Sequence, residues 1–343
     1  MKCRTPIAAC LAALLALGLA ACGAKKDSTA APAQRDMRLV LDYLPNPDHV
    51  GIFTAQESGE FAKTGLRVKV ITPPDPASPL KLLAAGRTDL AISYEPEVLL
   101  AREKGADVLS VAAIATRPLT SLMSVRGKPV SPQALKGKTV GTAGIPYQDA
   151  YLQTILDDAG VDPGTVKKVN VGFNLVPAML SGRVDATLGA FWNVEGVQLR
   201  RQNRHPRILP VDQVGVPTYD ELVLVARRET VRSDGALIRR FVQALSRGTA
   251  AARRDPQAGT AALLKAAPDL GKGFAAASVR ATLPVLFAGE SGKPYGWQDK
   301  SQWQSYIDWM VQSGQLQRPM AAGAVLTNEF LPGEGVGVSD SAP

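Results

Sequence analysis

Leu83-Ala84-Ala85-Gly86-Arg87-Thr88-Asp89 recurs as Leu180-Ser181-Gly182-Arg183-Val184-Asp185, with Gly182 lying 96 residues after Gly86. In each copy an apolar helical run stops at a glycine, the residue that takes the left-handed cap at least cost. An Arg and an Asp then lead into a short apolar strand, Leu90–Ile92 or Ala186–Gly189. The surroundings repeat too. Ahead of the first copy run a strand over Arg38–Leu41, a helix over 50–64 stopped by Gly65, an alternating strand over Leu66–Ile71, a proline loop over 73–79 and a helix over Leu80–Ala85. Ahead of the second run a strand over Lys138–Thr142, a helix from Asp149 to Gly160, a strand over Val166–Val171 and a helix over Leu175–Ser181. Alternating strands and helices predict a parallel sheet. Their duplication predicts an α/β, two-lobed fold in which each lobe is a mostly parallel sheet flanked by helices.

Ser131-Pro132 has the N-cap and first-turn proline of a helix start and opens the second lobe. After a strand over Glu221–Ala226 only helical spacing follows, over 238–252, 259–267, 274–287 and 302–311. This predicts a helical C-terminal segment wrapping back over the first lobe. The expected boundaries are 37–125 with 221–332 for lobe one, 126–220 for lobe two and a flexible tail over 333–343.

The N-terminus reads differently. Lys2 and Arg4 precede an uncharged stretch from Thr5 to Ala24, apolar from Ile7 to Leu19, as in a secretory signal. Leu19-Ala20-Ala21-Cys22 is a lipobox: a branched residue, two small residues and a cysteine whose thiol accepts a diacylglycerol. The expectation is a signal peptide over 1–21, lipidation at Cys22 and a polar tether over 22–36. Lipid anchoring would hold the protein on a membrane surface outside the cytoplasm. Of the three cysteines, Cys3 and Cys10 would go with the signal. That leaves no free thiol for catalysis, disulfides or metal. The 343 residues carry 39 Lys and Arg against 31 Asp and Glu, a net charge of +8. Losing Lys2 and Arg4 reduces it to 37 − 31 = +6. The excess forms no stripe and accompanies no nucleic-acid motif, so no nucleic-acid partner is expected.

Several segments carry a family likeness. They are Leu41-Asp42-Tyr43-Leu44-Pro45-Asn46-Pro47-Asp48-His49 with Gly51-Ile52-Phe53, Gly59-Glu60-Phe61, Leu82–Leu90, Leu135–Gly141, Gly189-Ala190-Phe191-Trp192-Asn193-Val194-Glu195-Gly196 and Thr327–Phe330. Over roughly 38–332 the chain resembles the type II solute-binding proteins of bacterial ABC importers. The Pro-Asn-x-x-His and Trp-Asn-x-Glu segments resemble the branch of thiamine pyrimidine-precursor binders and the related pyrimidine synthase. The resemblance implies a monomeric, non-enzymatic binding protein without cofactor or metal. It would pass a small molecule to an ABC permease and ATPase complex. The implied ligand is a hydroxymethylpyrimidine or formylaminopyrimidine; riboflavin, a sulfonate, nitrate or a taurine-like solute are alternatives. A pyrimidine synthase-like enzyme is the competing class. The cysteines that such a synthase uses for iron have no counterpart in the mature chain.

Ligands of open α/β sheets bind beyond the carboxyl ends of the strands. Four segments fall there: 42–49, 93–97, 143–149 and 190–195. They supply Asp42, Tyr43, Asn46 and His49; Tyr94 and Glu95; Gly144, Tyr147 and Asp149; and Trp192, Asn193 and Glu195. Aromatic faces with carboxylates and amides suit a flat heteroaromatic ring bearing amino groups. The helix start in the third segment would also favour an anion, unless Asp149 itself answers the helix dipole.

Overall fold

The computed structural model describes residues 34–125, 127–128, 130–287 and 292–333. The signal, Cys22, the tether up to residue 33 and the tail from 334 lie outside the described residues. Among those described, no helix is long and apolar enough to cross a membrane.

In chain order the elements are β1 (Arg35–Val40), α1 (Val50–Glu57), α2 (Glu60–Lys63), β2 (Leu66–Ile71), α3 (Pro79–Ala84), β3 (Leu90–Ser93), α4 (Glu95–Glu103), β4 (Val108–Ala115) and β5 (Thr120–Ser124). They continue with β6 (Thr139–Thr142), α5 (Pro146–Asp158), β7 (Lys167–Asn170), α6 (Leu175–Leu180), β8 (Ala186–Phe191), α7 (Glu195–Arg201), β9 (Arg207–Pro210) and β10 (Leu222–Arg227). Four helices close the chain: α8 (Arg228–Arg254), α9 (Pro256–Ala266), α10 (Lys272–Thr282) and α11 (Lys300–Gln312).

Two five-stranded sheets result, ordered β2-β1-β3-β10-β4 and β7-β6-β8-β5-β9. The orders superpose strand for strand. In each sheet the first three strands are parallel and the fourth runs antiparallel to its neighbours. That fourth strand belongs to chain arriving from the other lobe: β5 follows β4, and β10 follows β9. The lobes are therefore joined by two crossings, Thr116–Leu119 and Val211–Glu221.

The repeated motif has a backbone purpose. Gly86 and Gly182 sit at φ 69° and 73°. The Asp89 carboxylate accepts from Arg38 N of β1 at 2.7 Å, and Asp185 accepts from Thr139 N of β6 at 3.0 Å. In each lobe one acid thus satisfies a backbone donor of the neighbouring parallel strand. The motif builds the lobes and stays out of the cleft.

Three expectations are corrected. The fold starts at Arg35, because exposed Arg35 and Asp36 already pair with Leu66 and Arg67 on the sheet edge; the tether therefore ends short of residue 36. The helix expected over 50–64 is split by Gly59 at φ 72° into α1 and α2. The first crossing falls between Ala115 and Thr120 rather than at 125, since fully buried β5 pairs with β8 and β9 of the second sheet. The C-terminal helices also reach both lobes. α8 and α9 cover α1, while α10 packs on α7 and the Tyr306 hydroxyl of α11 bonds that of Tyr151 in α5.

The crossings are pinned by one carboxylate. Buried Glu221 accepts from Leu119 N (2.7 Å), Thr120 N (2.8 Å), Thr120 Oγ1 (2.9 Å) and the Tyr219 hydroxyl (2.9 Å). Burial pushes its carboxyl up to about 7, against the pull of these donors. Glu221→Ala strands four buried donors, so urea unfolding should report a loss of roughly 3–5 kcal/mol. A loss below about 1 kcal/mol, the worth of one ordinary hydrogen bond, would remove the clamp from this account.

Candidate functional site

A narrow, partly open cavity lies between the two lobes, at the strand ends. It is lined by Asp42, Tyr43, Asn46 and Tyr94 from the first lobe. Ala143, Ile145, Tyr147, Gln148, Leu175, Gly189, Phe191, Val194 and Glu195 of the second complete it.

Asp42 follows β1 and is 1% exposed. One oxygen lies 2.8 Å from His49 Nε2 and the other accepts from the Tyr94 hydroxyl at 2.7 Å. The tautomer of His49 follows from its other nitrogen. Nδ1 accepts from Asn46 N at 3.2 Å, so the proton sits on Nε2 and is donated to Asp42. Asn46 in turn caps the turn Pro47–His49, its side-chain oxygen accepting from Asp48 N at 2.8 Å. The Pro-Asn-x-x-His segment is thus a capping box that aims a histidine at the cavity carboxylate. His49 itself does not line the cavity.

Glu195 faces Asp42 from the second lobe. It starts α7 and accepts from Phe191 N at 2.7 Å. Burial, with Asp42 adding repulsion, pushes its carboxyl up to about 7. Tyr94 and Tyr147 form the aromatic wall, ring centroids 5.4 Å apart. The buried Tyr147 hydroxyl makes no hydrogen bond. Gln148 accepts from Ala143 N at 2.9 Å through its oxygen, which leaves its amide nitrogen at Gly189. A Cβ on Gly189 would stand 2.2 Å from that nitrogen, and its φ of 112° also requires glycine.

Neither Lys nor Arg lines the cavity. At the α5 N-terminus, burial pushes the Glu97 carboxyl of α4 up to about 7, against the pull of the Tyr147 backbone N–H.

Six of the twelve expected binding residues therefore line the cavity: Asp42, Tyr43, Asn46, Tyr94, Tyr147 and Glu195. The other six are placed elsewhere. His49 supports Asp42. Buried Glu95 accepts from Asp220 N at 2.7 Å, beside the second crossing. Gly144, at φ 79°, makes room for the Asn170 amide. Asp149 points to solvent and pairs with Lys168 at 3.1 Å. Trp192 turns to the first crossing, donating from Nε1 to Pro118 O at 3.2 Å and from its backbone to Leu119 O at 3.1 Å. Asn193 is fully buried and donates to Asp48 Oδ1 (2.6 Å) and Thr282 Oγ1 (2.7 Å). Gln148 and Phe191 also line the cavity, within the expected segments 143–149 and 190–195 but outside the twelve expected binding residues. The one available signal for Gln148 was Gly189, since a glycine ending a strand marks close approach.

The NMT1/THI5-like family model matches residues 46–259. A formylaminopyrimidine-binding protein of Halalkalibacterium halodurans is 33% identical over 294 residues, covering 84% of this chain and 89% of that protein. A 4-amino-5-hydroxymethyl-2-methylpyrimidine phosphate synthase of Saccharomyces cerevisiae, THI13, is 25% identical, covering 63% of this chain and 67% of the enzyme. Among solved structures, the alkanesulfonate-binding protein SsuA of Xanthomonas axonopodis pv. citri, bound to MOPS, superposes with TM-score 0.66 at 17% identity, covering 86% of this chain and all of that one. That likeness concerns the fold. The family match and the identity with the Halalkalibacterium protein together place this chain in the NMT1/THI5-like family.

Proposed function

We propose that the chain is the extracytoplasmic solute-binding component of an ABC importer, anchored through lipidated Cys22. Its cleft takes a thiamine pyrimidine precursor of the formylaminopyrimidine or hydroxymethylpyrimidine type. One observation carries the ligand class: two carboxylates, Asp42 and Glu195, face one aromatic-walled cavity that holds no cationic side chain. Such a site accepts hydrogen bonds from exocyclic amino groups and repels phosphate or sulfonate.

The energetics fit this chemistry. Charge-assisted bonds contribute about 1.5–3 kcal/mol each, and micromolar binding needs about 8 kcal/mol net. Two carboxylate bonds with stacking on Tyr94 and Tyr147 approach that sum once the lobes enclose the ring. Binding favours the closed form, which a permease and its ATPase then open. Nothing covalent is required. The synthase named among the relatives is the competing reading, with His49 as its point of contact. Here both imidazole nitrogens are engaged in the structure that carries Asp42.

Thermal melts against aminopyrimidines, flavins and alkanesulfonates should show stabilisation by the aminopyrimidines. Stabilisation by sulfonates alone would overturn the assignment. Glu195→Gln, which keeps the shape but loses the charge, should weaken aminopyrimidine binding roughly 10- to 100-fold, while Trp192→Ala should leave the cavity contacts in place.

Affinity should also depend on pH through Glu195. In the ligand-free protein its carboxyl is raised to about 7. The amine-accepting form is therefore half populated near pH 7, complete about one unit higher and lost as pH falls. Calorimetry should find binding weakening roughly fivefold between pH 7 and pH 6. Tighter binding on acidification would mean that the protonated acid is the form recognised.

A further inference from the structure

Tyr43 lines the cavity from the first lobe yet is fastened to the second. Its hydroxyl donates to Gly172 O at 3.3 Å. Its ring meets Phe173 edge to face, centroids 4.7 Å apart at 82°. Phe173 is half-buried and does not line the cavity.

The platform that receives Tyr43 is built for the purpose. Gly172 sits at φ 53°, and its N–H is held by the Asn170 side-chain oxygen at 2.9 Å. The Asn170 amide occupies the space that a Cβ on Gly144 would fill, 2.3 Å away. The chain Gly144, Asn170, Gly172 therefore fixes the direction of the one carbonyl that Tyr43 reaches, and Leu175 leads directly back to the cavity wall.

We propose that Phe173 and Gly172 are specificity-determining positioning residues, which by clasping Tyr43 over the cavity admit single-ring aminopyrimidines and exclude those carrying a second ring. The inference rests on the aminopyrimidine reading of the site. Thiamine supplies the contrast, being an aminopyrimidine joined to a cationic second ring. The two cavity carboxylates would attract its charge, so on this proposal its exclusion falls to the clasp on Tyr43.

The test compares formylaminopyrimidine and thiamine on wild type, Tyr43→Phe, Phe173→Ala and Phe173→Leu, by stopped-flow fluorescence and calorimetry. Wild type should bind formylaminopyrimidine more tightly than thiamine. Loss of the aromatic edge at 173 should raise the formylaminopyrimidine off-rate about two- to tenfold with its on-rate unchanged. It should also narrow the preference over thiamine. A residue of merely structural value would weaken both ligands alike, and that result overturns the proposal, as does an unchanged off-rate. Phe173→Leu keeps apolar bulk at 173, so it separates loss of the clasp from poor folding. Melting of the Tyr43→Phe, Phe173→Ala double variant supplies a readout without ligand. Its Tm loss should fall short of the sum of the single losses; strict additivity means that the clasp does not form. If wild type binds neither pyrimidine, the functional reading fails, and the melting cycle still decides whether the clasp exists.

Discussion

A buried carboxylate must collect donors or lose its charge, and the two-lobed arrangement depends on where Glu221 collects its own. The donors come from both crossings: backbone groups of Leu119 and Thr120 from one, the Tyr219 hydroxyl from the other. Neighbouring groups extend the arrangement. Asp220 accepts from Trp303 Nε1 at 2.7 Å while its backbone N–H serves Glu95 of α4. Trp192, at the end of β8, hangs on Pro118 and Leu119. The hinge thereby locates three things at once: the start of α4, the end of β8 and the C-terminal helix α11. Tyr94 and Phe191 stand one residue away from those anchors, so the cavity wall inherits its position from the hinge.

The two cavity carboxylates are treated unequally. Asp42, almost fully buried, receives a histidine N–H and a tyrosine hydroxyl, both from its own lobe. Glu195 has one backbone donor from Phe191 and the repulsion of Asp42 across the cleft. One acid is thus satisfied in advance and the other waits for a partner. On the proposed reading, a ligand bearing amino groups would relieve the second and so couple binding to the approach of the lobes that carry them.

Much of this was legible in the sequence because it is local. The repeated helix stop, its glycine and its aspartate act within one strand–helix unit, so the duplication and the parallel sheets could be read from pattern. The segments at the strand ends were legible for the same reason. Which side chain of a segment faces the cleft was not. At the end of β8 a single residue separates Phe191, on the cavity wall, from Trp192, on the crossing. Asp149 and Tyr147 share a helical turn, yet one meets solvent and the other is buried. The assignment of β5 to the second sheet was equally hidden, because its short Thr-Ser-Leu-Met-Ser run is compatible with either lobe and only pairing decides. Asn193 shows the limit most clearly: its partners Asp48 and Thr282 lie far away in sequence.

Ligand chemistry separates from fold at the α5 N-terminus. A type II lobe presents helix amides to its cleft, and the sulfonate-binding protein with the same fold shows that such architecture accommodates an anionic ligand. In this chain the Tyr147 N–H at that helix start pulls against the burial that raises the Glu97 carboxyl, while Asp42 and Glu195 line the cavity. An added sulfonate or phosphate would meet two acidic side chains, Asp42 and Glu195, and no Lys or Arg among the cavity-lining residues. On the proposed reading, the same scaffold accepts amines in place of anions without any change in its strands.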